Sequence, residues 1–530
     1  MEMRAEIGGQ LAASTTAMVT SPHRLASEAG RDILAAGGSA IDAAIAMGAV
    51  LAVVYPHFCG LGGDAIWIVS DENGRADTLS GIGQAVENVD RVPSPIPPRG
   101  PMSAITTACV VDSWGTAHAY AHDRWASRAD FAALLSPAIE LAEQGFRLSR
   151  SQAFWFDFRA GDAPSWPGFG AIYDTTGLKP EIDRIRQPHL AESLRLIARD
   201  GPRGFYEGEL ASRIAAGLES AGSPLTASDL ARTRTRIEAP IRLPYRGLQL
   251  LAPPPPTQGV TTLEIMALLA RVGIADVPAG SADFYHLLVE AIKQAFLSRG
   301  SIADPDVEAQ DPTRWLSPER IARKAVQIDR RTALAWPHTF RTGDTVYLAA
   351  VDAKGRTASV LQSLYFDWGS GVVAGDTGIL WQNRGAAFSR EPASPNRLRP
   401  GARPFYTLNP GMALRNGKPH LLYGTQGADG QPQTLAALLA RVIDHGEDPA
   451  TALAAPRFLL GRTFSDSRDS LKIETSVGDE ILDALARRGH EVSPLQPRSP
   501  IAGQAGLIRI GNAIIEGAHD PRSDGAALGL

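Results

Sequence analysis

The stretch Gly343-Asp344-Thr345-Val346-Tyr347-Leu348-Ala349-Ala350-Val351-Asp352-Ala353-Lys354-Gly355 carries the reading of this chain. Val346 to Val351 is a short apolar run, Asp352 to Gly355 has turn residues, and Thr357 to Leu364 is a second run, so the segment predicts a β-hairpin. Thr345 stands at the mouth of the first strand, behind a charge-rich segment (299–344) with few long apolar faces that reads as mobile or exposed. A threonine hydroxyl is a poor nucleophile until a base removes its proton, and a free α-amine with a pKa of about 8 suits that role. A mid-chain threonine acquires such an amine only when the peptide bond before it is cut. On spacing alone, an Asp-Thr pair before a strand is common and specifies nothing more.

Working outward, strands are expected around 345–425, with Gly371 to Ala374, Gly378 to Gln382 and Leu421 to Tyr423 continuing the pattern, and a helix from Gln433 to Ile443 follows. Helices dominate residues 20–330. Leu25 to Ala36 reads as a helix stopped by Gly37 and Gly38. Ser39 and Asp42 form a capping box ahead of Ile41, Ala44, Ile45 and Ala49. From Asp283 to Phe296 apolar residues recur every three to four positions, with Asp283 or Ser281 as the cap. Pro253 to Pro256 reads as a rigid corner.

Composition removes whole classes. The 530 residues carry 52 basic and 57 acidic side chains, a net charge of −5, which is unlike the basic face of a nucleic-acid binder. Two cysteines, Cys59 and Cys109, support neither a disulfide scaffold nor a multi-cysteine metal site and read as reduced and buried. No apolar run reaches the ~18 residues of a membrane span, and the N-terminus lacks a signal-peptide core, so the cytoplasm is the expected location. His118 and His122 lie four apart but have no evident third ligand, so no metal and no cofactor is expected. Gly60-Leu61-Gly62-Gly63-Asp64 is neither a dinucleotide nor a phosphate loop and reads as a tight turn. His57, in an apolar context, reads as a hydrogen-bonded structural histidine, and no GxSxG motif is present.

Eight stretches, in order over some 510 residues, resemble the gamma-glutamyltransferase family: MVTSPHRLASEAGRDILAAGGSAIDAAIA (18–46), VVYPHFCGLGGD (53–64), LLAPPPPTQGV (250–260), HLLVEAIKQAFLSR (286–299), GDTVYLAAVDAKG (343–355), GSGVVAGDTGILWQN (369–383), YGTQGADGQPQT (423–434) and EGAHDPRSDGAALG (516–529). The resemblance implies an α+β fold, a four-layer αββα sandwich of the N-terminal-nucleophile hydrolase type. This replaces the three or four domains that length alone suggests at about 150 residues each. It implies a proenzyme that cuts itself between Asp344 and Thr345 into fragments 1–344 and 345–530. The fragments are expected to stay associated as a heterodimer that can pair further. Thr345 would then attack an amide carbonyl, Ser363 would hydrogen-bond it, and the backbone N–H groups of Gly427 and Ala428 would hold the oxyanion. Ala428 replaces the second glycine of the family's pair, which preserves a donor provided its φ stays negative.

The substrate pocket departs from the family. Where gamma-glutamyl enzymes place an acid for the donor's α-amino group, this chain has Ala387; a family asparagine corresponds to Tyr365, and a paired serine site corresponds to Tyr406 and Thr407. Asp429 follows the oxyanion pair and is counted with these pocket residues. Arg384 has entered the same loop, with a fork suited to a carboxylate, while Arg91 is the other candidate for that task. The pattern is similar to the branch that includes oxamate amidohydrolase and some acylases. The expected substrate is a small carboxylate-bearing amide, with no nucleic-acid or membrane partner. Gamma-glutamyl amides of the glutathione type remain an alternative, as does an unprocessed, non-catalytic binding protein.

Overall fold

The computed structural model describes residues 9–173, 184–336, 343–462 and 468–530. The hairpin forms as expected, with strands Asp344–Val351 and Thr357–Tyr365 paired antiparallel. It lies at the centre of an antiparallel sheet whose order is Ala526–Gly529, Met18–Ser21, Asp344–Val351, Thr357–Tyr365, Asp64–Ser70, Ala76–Gly81, Arg236–Glu238. A second antiparallel sheet runs Ala12–Ser14, Ile515–His519, Ala505–Ile510, Lys418–Thr425, Gly411–Arg415, Leu248–Ala252, Ile241–Tyr245.

Side-chain alternation along the strands builds the layers. Tyr347, Ala349, Val351 and Leu361 point at Leu251, Met412, Leu414, Leu422 and Ile508 of the facing sheet. Val346, Leu348, Ala350, Ala358 and Val360 point the other way, into a core shared with helices Arg24–Ala35 and Ala40–Val54. On the far side, Leu250, Ala413, Leu421, Tyr423 and Leu507 pack on helices Gly259–Val272, Ala282–Arg299 and Gln431–Leu439. The result is helix, sheet, sheet, helix. Both faces of the central strands are covered, so every residue of Asp344–Val351 is buried and the sequence from Val346 to Val351 reads as an unbroken apolar run. Residues on either side of position 344 supply strands to both sheets.

Local signals place most ends correctly. Ser39 and Asp42 form the capping box, and the first helix ends at Ala35 with Gly37 at φ 87°. Ser281, not Asp283, caps Ala282–Arg299 by accepting from Phe284 N. The helix expected from Gln433 starts two residues earlier, at Gln431, and continues past Leu439 as a π-turn to Asp444. Two expected strands are absent: 371–374 and 378–382 are loop joined by single bridges, Val373 to Leu380 and Gly62 to Trp381. Gly369, Gly371, Gly375 and Gly378 all have φ between 53° and 74°, a backbone that cannot run straight. The segment after 299 contains two short helices, Pro312–Trp315 and Pro318–Ala325, with Ile321 buried; residues 337–342 lie outside the described residues.

Candidate active site

Thr345 is 2 % exposed, next to an irregularity in the hairpin register between Asp344 and Val346. Its hydroxyl donates to Ser363 Oγ at 3.4 Å and accepts from Gln431 Nε2 at 3.4 Å. Ser363 Oγ in turn donates to the Asp344 carbonyl oxygen at 2.6 Å and accepts from Tyr365 N at 2.8 Å. One serine therefore touches both the threonine hydroxyl and the carbonyl of the preceding peptide bond, and its donated hydrogen bond polarises that carbonyl. Gln431 is fixed by Asn409 N, which donates to its Oε1 at 3.0 Å. Gly63 supports the strand from behind: a Cβ there would sit 2.3 Å from the Ser363 carbonyl oxygen, so only glycine fits. The Asp344 carboxyl is pushed well above the usual range by burial and then by the charge of Asp367, against the pull of Arg159 and Arg99.

The turn after strand Lys418–Thr425 brings Gly427 and Ala428 to the start of helix Gln431–Leu439. Gly427 has φ 115° and Ala428 has φ 42°. The expectation of a negative φ at Ala428 is therefore corrected: the alanine takes up the left-handed turn at a cost of about 1–2 kcal/mol. Its Cβ packs where a Cβ added to Gly343 would meet it at 2.9 Å, so the turn abuts the segment before Thr345. Gln258 ties the parts together, donating from Nε2 to both Ala428 O and Thr407 O at 2.7 Å. It sits at the end of the proline corner, where Tyr406 N donates to Pro256 O and Gln258 N donates to Tyr406 O.

Arg384 is completely buried. Its guanidinium carbon lies 3.9 Å from the Tyr365 ring centre and 4.0 Å from that of Tyr406, a cation between two aromatic faces. Nη1 donates to Thr407 Oγ1 at 3.2 Å, while Nε and Nη2 have no partner. Arg384, Tyr365, Tyr406 and Thr407 thus converge, as the sequence suggests, and Ala387 closes the same short turn, Arg384–Ala387. Behind Tyr406 stands Asp64, whose Oδ2 accepts from the phenol at 2.6 Å and whose Oδ1 accepts from Cys109 N at 2.7 Å and Gly83 N at 3.0 Å. Burial pushes the Asp64 carboxyl up to about 6, against the opposing pull of Tyr406 and Arg384.

The remaining candidates lie elsewhere or are engaged. Arg91 is exposed in the turn Val89–Arg91, unlike the buried Arg384. Both oxygens of Asp429 are gripped by Arg299 at 2.6 Å, so its carboxylate is held within the protein. His118 Nε2 pairs with Ala129 O, and His122 pairs with Asp123 on the surface. His57 is buried against Ser151 at 3.1 Å, and both cysteines are buried free thiols. His286, Glu290 and His490 form a metal-type cluster. There, His286 Nδ1 and His490 Nε2 bond each other at 2.8 Å and Lys293 takes Glu290 at 2.7 Å. Sequence reading missed Gln431, Gln258 and Asp64. The first two fall inside quoted motifs, and the third was absorbed into a glycine-rich turn.

Fold and site together define the class: this is a self-processing N-terminal-nucleophile hydrolase, an enzyme that acts on amide C–N bonds. The gamma-glutamyltranspeptidase family profile matches residues 26–530, and the chain belongs to that family. It is 41 % identical over 523 residues to the oxamate amidohydrolase proenzyme of Klebsiella pneumoniae, covering 97 % of this chain and 99 % of that protein. It is 39 % identical to the glutathione hydrolase-like YwrD proenzyme of Bacillus subtilis, with the same coverage. Among solved structures, cephalosporin acylase from Bacillus halodurans superposes with a TM-score of 0.90 at 30 % identity, covering 100 % of this chain and 98 % of that one. No helix among the described residues is long and apolar enough to cross a membrane.

Proposed function

We propose that the chain cuts itself at Asp344–Thr345 and then hydrolyses a small amide bearing one carboxylate, of the oxamate type, through an acyl-enzyme on Thr345. Ser363 passes the threonine proton toward the leaving group while polarising the Asp344 carbonyl, and the attack shifts the acyl group from nitrogen to oxygen before water releases it. The freed Thr345 amine becomes the base for turnover. In each cycle the Thr345 hydroxyl forms an ester with the substrate acyl group, the amide nitrogen departs with a proton, and water cleaves the ester. The N–H groups of Gly427 and Ala428 stabilise the developing oxyanion, Ala428 keeping its backbone donor in the left-handed turn even though the negative φ set as its condition is not found. Fragments 1–344 and 345–530 stay together because each supplies strands to both sheets.

The observation that carries the substrate reading is Arg384: a buried cation with two donor nitrogens left open. An anion is what removes the cost of such orphaned donors, and a planar carboxylate matches the fork. The relative named for oxamate hydrolysis agrees with this chemistry. A gamma-glutamyl amide is the second reading, favoured by the relative named glutathione hydrolase-like and opposed by Ala387, which cannot pair with an ammonium group. Ammonia release from oxamate, set beside p-nitroaniline release from γ-glutamyl-p-nitroanilide, separates the two. Strong turnover of the latter with none of the former overturns the proposal.

A further inference from the structure

Asp64 is a charge the proposed reaction does not use, yet it sits one side chain away from Arg384. Its three donors, Tyr406 Oη, Cys109 N and Gly83 N, occupy both oxygens, so it does not offer an open cradle for a substrate ammonium. What it does is twofold. It holds the Tyr406 phenol, and thereby holds the ring that covers one face of Arg384. It also sets a negative charge against a guanidinium that has no carboxylate of its own, since Nη1 goes to Thr407 and the other two nitrogens are unpartnered.

With the freed Thr345 amine in its neutral, basic form, the empty site holds one cation, Arg384, and one anion, Asp64. A substrate carboxylate on Arg384 leaves the buried site with one excess negative charge, and a second carboxylate would leave two. In a site from which water is excluded, each like-charge encounter at side-chain separation weakens binding by about tenfold or more.

We propose that Asp64 is the specificity-determining and positioning residue of this site: by tethering Tyr406 over Arg384 and balancing the guanidinium, it admits a substrate with a single negative charge and rejects the dianion of the same shape. The inference rests on Arg384 as the carboxylate anchor. It changes the meaning of the Gly60–Asp64 turn, whose glycines fit the backbone beneath the Ser363 strand while its final residue sets the charge of the pocket.

Oxamate and oxalate are close isosteres that carry one and two negative charges at pH 8. In the self-cleaved protein the KM for oxamate and the competitive inhibition constant of oxalate, its hydrolysis product, read the discrimination; calorimetric titration with each anion reads it where oxamate is not turned over. Wild type is expected to bind oxamate at least tenfold more tightly than oxalate. Asp64→Asn is expected to close that gap by about tenfold, chiefly by tightening oxalate. Tyr406→Phe removes one of the three donors that keep Asp64 charged and is expected to move the ratio in the same direction by less, which keeps the test alive if the first variant does not fold. An unchanged oxalate-to-oxamate ratio in either folded variant, or absence of anion binding in wild type, overturns the inference. Failure of oxamate turnover alone overturns only the proposed reaction, because the ratio is then read from calorimetric binding of the two anions with no conversion of oxamate to oxalate.

Discussion

Arg522 and Arg384 are both sealed from solvent, and their surroundings are opposite. Arg522 is enclosed by carboxylates: Glu474 at 2.6 and 2.8 Å and Asp520 at 3.1 Å, with the carbonyls of Leu453 and Ala455 completing its shell. Arg457 joins from the other side through Asp520 at 2.6 Å. Burial opposes the Arg522 charge, but Asp520 and Glu474 outweigh it and hold the group above its ordinary range. Arg384 has two tyrosine faces, one threonine hydroxyl and two empty donors. Burial is therefore not what marks a binding arginine. In the proposed reaction the mark is an incomplete shell, because a closed ionic network is already satisfied within the protein whereas open donors favour an added anion.

Four experiments break or sharpen that contrast. Thr345→Ala has the largest effect: both arginines keep their surroundings, yet cleavage and turnover vanish. A denaturing gel then shows one band at 56.3 kDa in place of two fragments, and cleavage persisting in this variant would mean another residue is the nucleophile. Arg522→Met strips the buried Glu474 of its arginine and leaves Asp520 with Arg457 alone, and is expected to cost about 3–5 kcal/mol of stability, read as a fall in Tm or in soluble yield. Arg384→Met breaks no direct ion pair, and Asp64, though it loses the facing charge, keeps its three hydrogen-bond donors. This variant should fold and cleave itself with Tm close to wild type, while kcat/KM for oxamate falls by about a hundredfold, as expected when charge-assisted hydrogen bonds to the substrate are lost. Arg384→Lys should recover little, since an ammonium lacks the planar fork. A large Tm loss in Arg384→Met would erase the distinction between the two sites.

The smallest effect is one of pH. The Asp64 carboxyl is pushed up to about 6, so it is charged at pH 8 and neutral at pH 5. Around it, burial raises Tyr406 and Cys109 far above this window, while the freed Thr345 amine, with an ordinary pKa of about 8, gains its charge earlier in the fall, leaving the step near pH 6 to Asp64. Losing its negative charge favours anion binding, so oxalate affinity should rise as pH falls through about 6 and then level off. In Asp64→Asn the step near pH 6 should be absent, while any rise from the Thr345 amine nearer pH 8 remains. A wild-type affinity that is flat or falling over this range would contradict the assigned charge.

The sequence read some of this directly. The hairpin, the capping box at Ser39 and Asp42, and the helix over Ala282–Arg299 depend on local periodicity and local caps. The loop strands misread at 371–382 failed for an equally local reason: apolar residues run together there at 372–374 and 379–381, but Gly369, Gly371, Gly375 and Gly378 in the left-handed region bend the backbone out of the ladder. Ala428 failed because a one-letter change from glycine does not announce whether the turn or the side chain gives way; here the turn is kept and the alanine adopts it.

What the sequence by itself determined at the Thr345 end is placement, a threonine before an apolar strand, a serine one strand later and a small-residue turn before a helix, to which the family resemblance attached the proposed roles. These are local features read along the chain. The Arg384 end was decided by tertiary structure. Asp64 meets Tyr406 across 342 positions and Arg384 meets Thr407 from a different loop, contacts created when two sheets close face to face. Whether a buried arginine is clamped or open depends on which carboxylates that closure brings within reach, and this is fixed by packing between distant segments, not by any local pattern.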